Sequence, residues 1–143
     1  GATVDGYAAK MCRTVFLGQP PEKCVDIYRV LRQAQEAAMS RLRPGVTCGE
    51  LYQAAADCVE AAGYEKYWIV EHIGYGVGIR QSEFYPIIAK GSEVRIEENM
   101  VVDLLLPSIY VPHAGGPRLT DTVLVTAHGA EYLTNYGRDI FYC

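Results

Sequence analysis

Apolar residues recur at helical spacing in the first third of the chain. Pro20 and Pro21 open this segment, and the spacing predicts a helix that runs to about Leu42. One face of this helix should lie in the core, and its apolar residues are Cys24, Ile27, Tyr28, Leu31, Ala34, Ala38 and Leu42. The regular stripe indicates packing and gives no sign of a cofactor.

A second helix follows a break in the chain. Thr47 and Glu50 have the spacing of a capping box, in which each side chain bonds the other residue's backbone N–H. The helix should run to about Ala62 and end at Gly63, because glycine readily adopts the left-handed conformation that terminates helices.

The remaining segments have the character of strands. Residues Tyr7 to Phe16 read as a strand that the chain enters through a turn. The other predicted strands are Tyr67 to Val70, the glycine-rich stretch near residue 75, Met100 to Leu106, Ile109 to Val111 and Thr120 to Thr126. We predict one α+β domain over residues 1–143, with helices on one face of a mainly antiparallel, curved sheet.

Composition narrows the class of protein. The chain has 143 residues, of which 50% are hydrophobic, so it can bury a real core. No apolar run is long enough to span a bilayer, and no secretion leader is evident. A net charge of -4 with interspersed signs argues against nucleic-acid binding. Five cysteines without CxxC spacing indicate reduced thiols, which predicts a cytoplasmic protein.

Three glycines alternate in the stretch EHIGYGVGIRQSEFYP, at Gly74, Gly76 and Gly78. Without Cβ atoms, they allow backbone or a ligand to approach closely. The polar residues at positions 80–83 follow at once. Two interpretations are open: a glycine-thinned hairpin in the core, or the wall of an active site.

Four segments in this order resemble the pita-bread peptidase family, which includes methionine aminopeptidase, Xaa-Pro dipeptidase and creatinase. They are GATVDGYAAKMCRTVFLG, LRPGVTCGELYQAA, HIGYGVGI and ENMVVDLLLPSIYVPHAGGPRLTDTVLVTAHGAEYLT. The resemblance implies the pita-bread fold and matches the C-terminal half of the family's catalytic domain.

Active members of that family bind two divalent metal ions through two aspartates, a histidine and two glutamates, and the ions activate a water molecule. The first aspartate would precede Gly1. The other four positions resemble those of Lys10, Tyr75, Leu106 and Thr120 in this chain. None of these side chains is a carboxylate or an imidazole, so the resemblance predicts no metal cofactor.

The favoured interpretation is a pseudoenzyme that keeps the fold for binding or oligomerisation, as in the peptidase-like domain of the large FACT histone-chaperone subunit. The alternative is a metal-free enzyme in the same cleft, with Tyr75 as acid or hydrogen-bond donor, His72 or His113 as base, and Lys10 as electrostatic anchor or nucleophile. A hydrolase of the usual family type is disfavoured.

The predicted ligand-binding cleft adds further residues to the catalytic candidates Tyr75, His72 and Lys10. They are Ser82, Glu83, Leu106, His113, Arg118 and Thr120. Ser82 resembles the position of a substrate-contacting histidine. Purely structural roles are also open for three of these residues. His72 could be a core histidine whose ring nitrogens are hydrogen-bonded, and His113 could be an exposed loop residue. Arg118 could form an ion pair with Asp121 or Asp103.

Half of a two-part sheet would leave an open edge and an uncovered apolar face. We therefore expect the chain to pair with an N-terminal half-domain or with a second copy of itself. A small-molecule or peptide ligand is also compatible with the cleft.

Overall fold

Two α-helices form where the apolar periodicity predicts them. The structure, a computed structural model, describes residues 1–68, 70–106 and 109–143, without the side chains of residues 105 and 106. Helix α1 spans Glu22–Arg41 and helix α2 spans Cys48–Ala61. The predicted capping box is confirmed, because Thr47 Oγ1 accepts from Glu50 N–H and the Glu50 carboxylate accepts from Thr47 N–H.

The described strands are short, apart from two in the second half of the chain. They are β1 Ala2–Val4, β2 Tyr7–Ala9, β3 Val15–Phe16, β4 His72–Tyr75, β5 Ile87–Ala89, β6 Val101–Leu106, β7 Leu119–Thr126, β8 Gly129–Tyr132 and β9 Phe141–Tyr142. A 3-10 helix, Glu65–Tyr67, precedes β4.

The sheet is mainly antiparallel, as predicted. Strands β6, β7 and β8 form a three-stranded antiparallel unit, while β1 pairs with β2 and β4 pairs with β5. Bridges from Gly76 to Val102 and from Cys12 to Thr120 connect these hairpins to the two sides of the central unit. Only β3 and β9 are parallel among the described pairs.

Both helices pack on one face of this sheet. Helix α1 contacts α2 and strands β6 to β8, and α2 contacts β4 and β5. The core between them includes the buried residues Ile27, Leu31, Leu51, Ala55, Val102, Leu104, Val123 and Val125. Side chains alternate between the faces of a strand. The register pairs Asp103 with Thr122, so both lie on the opposite face, together with Thr120.

Three predicted strands differ from the structure. The segment Tyr7 to Phe16 is divided, because the backbone of Lys10 bonds the Thr122 hydroxyl instead of a neighbouring strand. In the segment Tyr67 to Val70, Tyr67 closes the 3-10 helix, Trp68 makes a single bridge to Ile109, and residue 69 lies outside the described residues. Residues 109–111 form only isolated bridges, since Val111 bonds within a turn to Gly115.

Neither described α-helix is both long enough and apolar enough to cross a lipid bilayer.

Candidate functional site

The glycines of the 74–78 stretch allow backbone segments to meet at the cleft. A Cβ added to Gly74 would lie 2.1 Å from the carbonyl oxygen of Asp103. A Cβ on Gly76 would lie 2.3 Å from the carbonyl oxygen of Tyr85. No side chain fits at such distances, so both glycines are required for close packing of backbone on backbone.

Lys10 places its ammonium inside this cleft. Its Nζ forms an ion pair with Asp103 Oδ2, and the two side chains are 16% and 0% exposed. Nζ also donates a hydrogen bond of 2.7 Å to Ser82 Oγ and lies 5.6 Å from the centre of the Tyr75 ring. The structure thus brings together Lys10, Ser82 and Tyr75, which the sequence predicts as site residues from separate positions along the chain.

Tyr75 connects this ion pair to His72. The Tyr75 hydroxyl and His72 Nε2 share a hydrogen bond of 2.7 Å, and their ring centres are 4.9 Å apart. Backbone N–H of Tyr75 donates to Asp103 Oδ1 at 2.5 Å. All three catalytic candidates therefore lie in one group, which we call the Lys10 cluster: Lys10, His72, Tyr75, Ser82 and Asp103.

Asp103 is the member of this cluster that the sequence analysis missed, since it considered the residue only as a partner of Arg118. Burial raises the pKa of the Asp103 carboxyl, while Lys10 and the N–H of Tyr75 act in the opposite direction. The sequence did carry a signal. A single carboxylate in the apolar strand VVDLLL needs a buried cation, and Lys10 provides it.

Glu83 stabilises the loop that borders the cleft through two hydrogen bonds. Its Oε1 accepts from the N–H of Arg80 at 2.9 Å, and its own N–H donates to the carbonyl oxygen of Gly76 at 2.8 Å. These bonds fold residues 79–85 back onto the glycine stretch. The bend places Ser82 beside Lys10 and leaves Phe84 81% exposed at the rim.

Thr120 lies buried on the same face of the sheet as Asp103. Its backbone exchanges hydrogen bonds with Cys12, and its Oγ1 has no hydrogen-bond partner within the described parts of the chain. The side chain of Leu106, predicted to line the cleft, lies outside the described residues. The β6–β7 register pairs Thr120 with Leu105, whereas Leu106 pairs with Leu119.

His113 and Arg118 have different surroundings. His113 is exposed in a turn with a φ of 64°, and no contact with the Lys10 cluster is described for it. Arg118 exchanges backbone hydrogen bonds with the hydroxyl of Thr14.

The ion pairs that the structure describes for Asp121 and Asp103 are with cations other than Arg118. Asp121 pairs with Arg13 and Arg138, and Asp103 pairs with Lys10. The strand register explains the pairs of Asp121. Asp121 lies opposite Leu104 in the strand register, so it points to the helical side of the sheet, where Gln35 of α1 also donates to it.

The residues of the cluster do not fit a dinuclear metal centre. Within the described ranges, no group of three or more His, Cys, Asp or Glu side chains is arranged to hold a metal ion. Asp103 is the carboxylate in the cluster, and the ammonium of Lys10 faces one of its oxygens. A divalent cation at Asp103 would meet a positive charge already in contact with its ligand.

Sequence relatives and solved structures agree on the fold. The Xaa-Pro dipeptidase of Lactobacillus helveticus is 39% identical over 140 residues, which are 98% of this chain and 37% of that protein. The dipeptidase structure from Pyrococcus horikoshii OT3 superimposes with a TM-score of 0.90 at 33% identity, over 96% of this chain and 38% of that one. The architecture is therefore the pita-bread fold, as the resemblance implied.

A third match shows the fold alone. The N-terminal domain of FACT complex subunit SPT16 from chickpea has a TM-score of 0.80 at 24% identity, over 92% of this chain and 33% of that one. The chain spans less than two fifths of the length of the dipeptidases that it matches. The model of metallopeptidase family M24 matches residues 1–127. On this evidence the chain belongs to metallopeptidase family M24.

Proposed function

We propose that this chain is a non-catalytic member of its family, a pita-bread domain that binds a partner or a ligand without a metal centre. One observation carries the proposal: the ammonium of Lys10 forms an ion pair with Asp103 in the cleft. The resemblance implies that Lys10 stands where active family members have a metal-binding aspartate. A cation at a ligand position removes a donor and repels the metal ion.

Metal analysis tests this proposal directly. We expect protein purified without chelator to contain no stoichiometric Mn, Co or Zn by elemental mass spectrometry, and calorimetric titration with each ion to show no saturable binding. The Xaa-Pro dipeptidase from Lactobacillus helveticus is the matched control. Two tightly bound ions per chain, together with cleavage of Xaa-Pro dipeptides, would restore a metallopeptidase.

A metal-free enzyme is the second candidate, and the hydrogen bond between Tyr75 and His72 favours it. An imidazole hydrogen-bonded to a phenol is suited to proton transfer in a reaction, and Lys10 could orient an anionic group. A thermal-shift screen of small molecules identifies ligands of the wild type, and product formation from each ligand by the wild type and by Y75F tests this role. Turnover that Y75F abolishes while its fold is retained would replace the non-catalytic proposal.

For the partner, we propose an N-terminal half-domain or a second copy. Support comes from strand β1, which is exposed throughout and pairs only with β2 among the described strands. The β1–β2 hairpin and the residue that follows its neighbour Gly78 carry exposed apolar side chains, namely Val4, Tyr7 and Ile79. Sedimentation velocity at micromolar concentration should show a dimer, or a complex when the N-terminal half is supplied. A stable monomer under both conditions would contradict this.

Two further expectations belong to this proposal. Residues 1–143 should behave as one domain, since the core cluster joins both helices to strands of the sheet. A cytoplasmic location remains a prediction from the cysteines, which are unpaired within the described chain.

A further inference from the structure

Lys10 contacts three separate parts of the cleft. Its Nζ forms the ion pair with Asp103 on β6 and donates to Ser82 in the loop that follows β4. The same ammonium lies over the ring of Tyr75 at the end of β4. Its backbone is fixed to β7 through Thr122. One positive charge therefore joins elements that are distant in sequence.

We propose that Lys10 is the resident cation of this cleft. Its ammonium neutralises Asp103 and holds the strands and the 79–85 loop together, as a bound metal ion holds its ligands. The inference rests on the proposed function, because it states what replaces the metal centre in a non-catalytic cleft.

The arrangement around Asp103 supports this role. One carboxylate oxygen accepts the backbone N–H of Tyr75, and the other faces Lys10 Nζ and makes no further hydrogen bond. Lys10 is the cation in the ion pair described for Asp103, which is fully buried. A buried carboxylate deprived of its counter-charge is unfavourable, so loss of the ammonium should loosen the whole cluster.

The same geometry makes a prediction about metal binding. In K10D, a negative charge replaces the ammonium beside Asp103, and two carboxylates then share a largely buried place with the hydroxyl of Ser82. Such a group lacks a cation and offers the hard oxygen donors that Mn²⁺ accepts. We therefore expect K10D to gain a single Mn²⁺ site.

The first experiment compares the wild type, K10D and K10D/D103N as full chains by Mn²⁺ calorimetry and thermal denaturation. We expect K10D to bind Mn²⁺ saturably, and its Tm to be higher with Mn²⁺ than without it. Both effects should be lost in K10D/D103N. If K10D is unfolded without metal, recovery of the native circular dichroism on adding Mn²⁺ supports the inference, and failure to recover it counts against it.

A second experiment tests the structural role without metal. Amides of residues 76–84 in K10M should exchange with deuterium at least about tenfold faster than in the wild type. K66M is the matched control, because Lys66 also lies over a tyrosine ring, that of Tyr67, with Nζ 4.9 Å from the ring centre. Unlike Lys10, Lys66 forms no ion pair in the part of the chain that the structure describes.

The outcomes separate the two proposals. A folded K10D that binds no Mn²⁺, or a K10M whose exchange matches that of K66M, would overturn the resident-cation inference and leave the non-catalytic function standing. Saturable metal binding by the wild type would instead contradict the proposed function itself.

Discussion

Thr122 and Lys10 exchange two hydrogen bonds across the sheet. The hydroxyl of Thr122 accepts from the backbone N–H of Lys10 at 3.0 Å and donates to the Lys10 carbonyl oxygen at 2.8 Å. A buried side chain thus substitutes for a neighbouring strand at the point where β2 ends. It also fixes the backbone from which the ammonium reaches Asp103.

The first prediction follows from this exchange. T122V keeps the shape of the side chain but leaves both backbone groups of Lys10 without their partner, so the free energy of unfolding should fall by about 1–3 kcal/mol. Urea denaturation measures the change. T122S retains the hydroxyl and serves as the control, and a T122V variant as stable as the wild type would show that the exchange contributes nothing.

The second prediction concerns the close approach at Gly74. G74A introduces a Cβ that would lie 2.1 Å from the backbone oxygen of Asp103, which cannot move without displacing β6. We expect a loss of about 1–3 kcal/mol or more in the free energy of unfolding.

Gly78 supplies the matched control for this substitution. A Cβ there would lie 3.3 Å from Glu83 Oε1, the end of a flexible side chain. G78A should therefore change stability by about 0.5 kcal/mol or less. Equal effects of the two substitutions in thermal denaturation would show that the backbone approach at Gly74 is not the cause.

The third prediction is a pH dependence at the capping box. Hydrogen bonds from the backbone and side chain of Thr47 hold the pKa of Glu50 below its ordinary value. Because the pKa is lower in the folded state, the stabilisation is complete above the unfolded-state pKa. It is lost as the pH falls through the folded-state pKa.

E50Q cannot lose a proton at this position, so it isolates the effect. The difference in free energy of unfolding between the wild type and E50Q should be largest near neutral pH and should shrink below about pH 4.3. Urea denaturation over a pH series measures it. A difference that stays constant with pH would indicate that the charge of Glu50 plays no part in the cap.

The fourth prediction concerns thiol reactivity. Burial raises the pKa of the Cys48 thiol to about 11, whereas Cys143 is exposed. With a colourimetric disulfide reagent at mildly alkaline pH, Cys143 should react first and Cys48 only on unfolding. C143S should remove the fast phase. Rapid modification of Cys48 in the folded protein would contradict its buried position.

Local signals made the helices predictable. The boundaries of α1 and α2 follow from apolar spacing, prolines and a capping box, all of which act within a few residues. The short strands depend on partners far along the chain. For Tyr7 to Phe16, the deciding contact is a hydroxyl on β7, which periodicity in the strand itself cannot reveal.

The candidate site likewise has a part that the sequence predicts and a part that depends on distant contacts. The motif positions predict four residues of the site, and the structure places them in one cluster: Tyr75, His72, Lys10 and Ser82. Asp103 was missed because the sequence does not show which lysine meets it. The ion-pair partners of Asp121 could not be chosen from the sequence for a related reason, since choosing among Arg13, Arg118 and Arg138 requires the strand register.

The ion pair between Lys10 and Asp103 also has a consequence in terms of mass action. A bound metal ion is in equilibrium with the free ion, so its occupancy falls when the ion is scarce or chelated. An ammonium that belongs to the chain does not dissociate into bulk solution. On the role proposed for Lys10, the shape of this cleft should not depend on metal supply, and a chelator should leave the protein's stability unchanged.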